Sequence, residues 1–138
     1  MAFLAGSGNI TNCYTTSEVI AEGTVSTFYS GGFLGNNSGN IVSTFAAASF
    51  ESNSASTYVG GFTGANNGSI PASNYWDGEL AEVSRSVGGT RLGTVQLQGQ
   101  TSVNGIYITW DPLAWDFGTA SQYPALKGMP NGLAAQRD

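Results

Sequence analysis

The sequence has no histidine, one cysteine, one lysine and three arginines. It therefore lacks the thiolates and imidazoles from which zinc sites are built, and a single cysteine excludes an internal disulfide. No metal or other cofactor is expected. Four basic residues against nine acidic ones give a net charge of −5, which leaves nothing to neutralise a phosphate backbone and excludes nucleic acid as a partner. No apolar run reaches the 18 residues a membrane span needs. The opening MAFLAGSGNI has no basic stretch and too short an apolar core to read as a signal peptide, so an exported form would carry this chain as a mature or excised piece. At 138 residues the chain has the length of one domain with a real core.

What is abundant is small and polar. Gly, Ser, Thr and Asn supply 60 of the 138 residues. With 41% hydrophobic and 12% aromatic residues, the chain is nevertheless too apolar for a solvated coil. Helix-forming Glu, Lys, Gln and Arg are scarce, whereas Val, Ile, Thr and the aromatics are common. That bias predicts an all-β fold of strands joined by tight turns.

An internal repeat organises the first part of the chain. Phe3-Leu4-Ala5-Gly6-Ser7-Gly8-Asn9-Ile10 aligns with Phe33-Leu34-Gly35-Asn36-Asn37-Ser38-Gly39-Asn40-Ile41, and again with Phe62-Thr63-Gly64-Ala65-Asn66-Asn67-Gly68-Ser69-Ile70. The three Phe are 30 and 29 residues apart, and an aromatic follows each Ile at Tyr14, Phe45 and Tyr75. No copy holds a ten-residue stretch with helical spacing, which disfavours helical repeats. A few short strands cannot bury their own apolar side chains, but stacked copies can. Parallel rungs about 4.8 Å apart would pile Phe3, Phe33 and Phe62 in one column and Ile10, Ile41 and Ile70 in another. Asn36, Asn37, Asn66 and Asn67 sit at the turns, where asparagine tolerates left-handed backbone and can form amide ladders. The prediction is a parallel β-solenoid of about three coils over residues 1–88, followed by a C-terminal cap or extension over 89–138.

These residues also resemble a known family. Gly-Gly-Phe-Leu-Gly-Asn-Asn-Ser-Gly-Asn-Ile (31–41) and Tyr-Val-Gly-Gly-Phe-Thr-Gly-Ala-Asn-Asn-Gly-Ser-Ile (58–70) are similar to the GLUG-type repeats of large bacterial surface adhesins of the filamentous-haemagglutinin-like β-helix group. Ser73-Asn74-Tyr75-Trp76-Asp77 resembles the end of such an array. The segments 92–98 and 115–127 resemble what usually follows it. The resemblance implies a right-handed β-helix in a cell-surface or secreted setting, and it implies no catalytic residues.

The region from 89 onward breaks the period. Thr94 followed by Val-Gln-Leu-Gln predicts a short capped helix, and Gly105–Trp110 alternates as a strand would. Trp110, Trp115, Phe117 and Tyr123 then fall within fourteen residues. These rings, with Trp76, can cover the solenoid as a satellite core, or they can form a platform on which sugars stack. The tail from Met129 to Asp138 reads as a linker or arm.

Catalytic constellations are thin. Asp77, Glu79 and Glu82, or Asp111 with Asp116, could be imagined as a glycosidase pair, but such sites usually gather several acidic groups with Arg, Lys or a metal, and the chain has only one Lys, three Arg and no His. Exposed loop carboxylates explain them better, and the chain reads as non-enzymatic. The Gly-rich stretches lack the Lys-Ser/Thr of a phosphate loop. Three glycosylation sequons begin at Asn9, Asn36 and Asn67, but turn chemistry explains these better as well. Cys13 matches Thr44 in the repeat and reads as a small buried thiol. A stack of coils leaves an unpaired edge at each end. The expected function is an extracellular or cell-surface structural and adhesion module that meets adjacent repeats of a longer chain. Two alternatives stay open: a filament subunit that stacks on itself head to tail, and a glycan-binding module.

Overall fold

The computed structural model describes residues 3–4, 6–21, 29–52, 58–99 and 105–129. The first coil holds β1 (Phe3–Leu4), β2 (Asn9–Thr15) and β3 (Glu18–Ala21). The second holds β4 (Tyr29–Gly31), β5 (Leu34–Asn37), β6 (Asn40–Ala46) and β7 (Ser49–Ser52). The third holds β8 (Tyr58–Gly60), β9 (Thr63–Asn66) and β10 (Tyr75–Asp77), after which the one-turn helix α1 (Gly78–Ala81) contacts β7. The remaining elements are β11 (Thr90–Leu92), α2 (Thr94–Leu97), β12 (Trp115–Asp116) and β13 (Ala125–Leu126).

Each strand of the repeats pairs in parallel with the strand one turn away, giving the sheets β4-β8, β1-β5-β9, β2-β6-β10-β11 and β3-β7. The result is an all-β chain of short parallel sheets with solenoid-like topology. Like meets like in register: Asn9 faces Asn40, Ile10 faces Ile41, Tyr14 faces Phe45, and Phe45 faces Tyr75. Ile70 packs into the same interior as Ile41, and Phe33 stacks on Phe62 with centroids 5.2 Å apart. The parallel ladder does not stop at residue 88. β11 adds a fourth strand beyond β10, with Trp76 opposite Arg91.

The first coil departs from the predicted alignment. Phe3 lies opposite Asn36, not Phe33, and Leu4 lies opposite Asn37. The turn explains the slip. In the later coils the Asn-x-Gly turn is closed by asparagine, with the Gly39 N–H donating to Asn37 Oδ1 at 3.0 Å and the Gly68 N–H to Asn66 Oδ1 at 3.2 Å. Ala5-Gly6-Ser7-Gly8 has no such asparagine, and Gly6 takes a left-handed φ of 61° in a longer loop. The amide ladder therefore links Asn37 and Asn66, whose side chains bond at 2.7 Å, and ends at Leu4. Asn36 and Asn67 stand outside it: Asn36 Oδ1 is buried without a partner, and Asn67 is exposed.

A left-handed residue in the middle of β2 and of β6, Asn12 (φ 54°) and Ser43 (φ 53°), changes which side chains point inward. Before the bend Ile41 enters the interior core with Leu34, Phe62 and Trp76. After it Phe45 turns outward into a second core against Tyr75, Leu97, Tyr107, Trp110, Trp115 and Tyr123. The bend opens the ladder, and Asn74 fills the gap. Its Nδ2 donates to the Ile41 carbonyl at 2.8 Å, and its Oδ1 accepts from the Thr44 N–H at 3.1 Å. A side-chain amide thus stands in for a strand that begins one residue later.

Two expectations for the C-terminal region are corrected. Residues 105–110 form turns rather than a strand, because Tyr107 and Trp110 both face the second core, three positions apart, with rings 4.5 Å from each other. Helix α2 is present, but Gly93 caps it and Thr94 occupies its first turn, which frees the threonine hydroxyl for another partner. The tail beyond Met129 lies outside the described residues.

The buried Asn37 amide serves Gly39 and Asn66 together, so Asn37→Ala should cost about 1–3 kcal/mol of unfolding free energy. Asn67→Ala, on the exposed neighbour, should stay within about 0.5 kcal/mol. Denaturant midpoints of the two variants would check the contrast.

Candidate functional site

Two features stand out: the ends of the stack, and the carboxylate that ties its C-terminal end to the aromatic region. At the C-terminal end, the chain after α1 crosses back over the last coil. The Gly61 N–H donates to the Arg85 carbonyl at 2.9 Å, and the Val87 N–H donates to the Thr63 carbonyl at 3.1 Å. Ser86 Oγ accepts from the N–H groups of both Phe62 and Thr63, each at 3.0 Å. β11 pairs along β10, and α1 packs against β7. Among the described residues, the last coil is thus met by backbone and a serine hydroxyl at Gly61, Phe62 and Thr63, and by β11 along β10.

The opposite end differs. Among the described residues β2 is the terminal strand of its four-stranded sheet, and β1 and β3 end theirs. The first charged residue in the chain is Glu18, so the stretch through β1 and β2 is uncharged. Cys13 lies in this edge, partly buried, opposite Thr44; desolvation raises its thiol pKa.

Asp77 is fully buried at the end of β10. Its Oδ1 accepts from the Glu79 and Leu80 N–H groups at 3.0 Å, capping α1, and its Oδ2 accepts from the hydroxyls of Thr94 at 2.7 Å and Tyr123 at 2.6 Å. One carboxylate therefore joins solenoid, α1, α2 and the aromatic segment. Glu79, exposed, accepts at its Oε2 from the Thr94 N–H at 2.8 Å. The sequence singled out Asp77 only as an acid. A neighbouring cap signal, Asp followed by Gly-Glu-Leu, was the available clue.

The other carboxylates have local duties. Asp111 and Asp116 accept from the Leu113 and Gly118 N–H groups two residues on, and Glu82 ends α1 with a left-handed φ of 54°. Among the described residues, no group of three or more His, Cys, Asp and Glu could hold a metal ion. No helix there is long and apolar enough to cross a membrane.

Trp76, Trp110, Trp115 and Tyr123 were the candidates for a sugar platform. All four are buried, at most 8% exposed, so none presents a face to solvent. Trp76 belongs to the interior core, beneath the Arg91 guanidinium at 5.6 Å. Trp110 donates its indole N–H to the Ser73 carbonyl, and Trp115 donates its own to Asn12 Oδ1. A shallow groove of about 290 Å³ lies beside them, lined by Thr16, Ser17, Glu18, Ala47, Ser49, Leu80 and the edge of Tyr123. Compared with protein-family models, with curated proteins and with solved structures, the chain matches none.

Asp77→Ala would strip the cap and strand two hydroxyls. It should lower stability by about 3 kcal/mol, from a lost cap of about 1 and buried bonds to a charge of about 2, read as a shift in denaturant midpoint. Burial, reinforced at Tyr123 by its bond to Asp77, raises the Tyr107 and Tyr123 hydroxyls well above their usual value of 10.0. The unfolded chain loses these protons first, so stability should be complete below about pH 10 and fall as pH rises beyond it. Absorbance titration near 295 nm should show both phenols ionising only as the chain unfolds.

Proposed function

We propose that the chain is a non-enzymatic structural and adhesion module of a bacterial surface or secreted repeat protein. In this reading the aromatic C-terminal region closes one end of a β-solenoid and leaves the other end for protein–protein pairing. The observation that carries it is the asymmetry of the ends. Segment 85–87, α1 and β11 cover the last coil, whereas β2 has a paired neighbour on one side only among the described residues. The charged residues with partners are used structurally: Asp77 is saturated with donors, and Lys127 Nζ donates to the Pro112 carbonyl at 2.7 Å. A low-charge Gly/Ser/Thr/Asn wall and the GLUG-like motifs support the extracellular setting.

The head-to-tail filament is not retained. It needs a long acceptor edge at both ends, and among the described residues the strand that ends the four-stranded sheet at the covered end, β11, has three residues. The glycan platform is not retained either, because its rings are packed inside. Immunogold labelling of intact, unpermeabilised cells with an antibody to the purified chain tests the setting. Label on the cell surface, or protein in the cell-free medium, is expected. Recovery solely from the cytosol would overturn it.

A further inference from the structure

The uncharged edge of β2, unpaired among the described residues, fits a second copy of this chain. We infer that it is a homodimer interface, in which two copies meet open end to open end and β2 pairs antiparallel with β2 of the second copy. The inference rests on the open end described above and names its occupant, but it does not depend on where the protein resides.

Three observations carry it. First, an edge strand is usually protected by charge, proline or shortness. β2 spans seven residues, Asn9–Thr15, with neither charge nor proline. Its left-handed residue at Asn12 interrupts the ladder at one position, as the matching bends of β2 and β6 do, but in an antiparallel self-pairing it falls opposite its own copy and leaves three residues on either side to pair. Second, the net charge of −5 opposes self-association through most surfaces, but in an antiparallel self-pairing every residue of β2 meets a neutral one. The nearest charged residue in sequence, Glu18, lies outside the paired segment. Third, geometry selects the mode. The far end of the stack is covered, so a copy adding in the parallel sense finds no matching edge. Open end against open end is isologous and closes after two copies. The four-stranded sheet β11-β10-β6-β2 then continues into the same sheet of the second copy as eight strands.

Thr11 is exposed and, like Cys13, sits within one residue of the middle of β2. In the dimer both therefore lie close to the two-fold axis. Light scattering coupled to size exclusion, over a concentration series of the full chain, should give a dimer. A short bismaleimide should link it through Cys13, the only thiol in the chain. Thr11→Lys and Thr11→Glu should each yield folded monomers by circular dichroism, and mixing the two should restore a heterodimer. Wild-type monomer at every concentration would overturn the inference. So would open-ended fibres, because the covered end would then have to take part. A wild-type dimer that survives both substitutions, or separate variants that do not recombine, would place the interface elsewhere. Loss of surface labelling with an intact dimer would overturn the proposed function and leave this inference standing.

Discussion

Within the repeats, from β1 to β10, each strand is hydrogen-bonded to its counterpart one coil away rather than to its neighbour in sequence. That constraint governs the rest of the molecule. It puts like residues above like, so a single pattern of Asn, Ile and aromatic serves each rung. It also produces two ends, since a stack of parallel rungs cannot close on itself as a barrel does. The residues after β10 solve half of that problem. Segment 85–87 supplies a carbonyl, an N–H and a serine hydroxyl where a fourth coil would have supplied a strand, and β11 contributes three residues of real pairing.

A second constraint follows from the bend at Asn12 and Ser43. A β-strand normally alternates strictly between two faces. A left-handed residue in mid-strand shifts that alternation, so the same strand feeds two cores: Ile41 packs inside the solenoid and Phe45 outside it. The outward aromatics would be a liability on an isolated solenoid. Here Tyr107, Trp110, Trp115 and Tyr123 cover them, and Asp77 fastens that cover to the stack by accepting from Thr94 and Tyr123.

The repeat made much of this visible beforehand. Ile10 with Ile41, Tyr14 with Phe45 and Tyr75, and Phe33 with Phe62 stand in the predicted relation, because identical rungs leave identical spacing. Phe3 does not, because its turn lacks the asparagine that shortens the later ones, and local similarity concealed a different loop. Residues 105–110 looked like a strand since apolar alternation over six residues cannot be told from a turn with two rings on one side. The direction of Tyr14, Phe45 and Tyr75 was hidden for a similar reason: periodicity says which residues align, not whether the column faces in or out. The roles of Asn74 and Ser86, and the bond that Asp77 accepts from Tyr123, depend on groups 23 to 46 residues away, which no local pattern reports.

The spacing of the rungs also bears on the order in which they form. Neighbouring coils pair residues 29 to 33 positions apart, but β10 and β11 pair at half that distance, Tyr75 with Thr90. Halving a loop lowers the entropy of closing it by about 0.6 kcal/mol. The shortest parallel closure therefore sits at the covered end, beside the second aromatic core, and it is synthesised after the coils that precede it. Chain entropy favours zippering from the lid back toward β2, against the direction of translation, so the rungs that emerge first wait for a template that emerges after them.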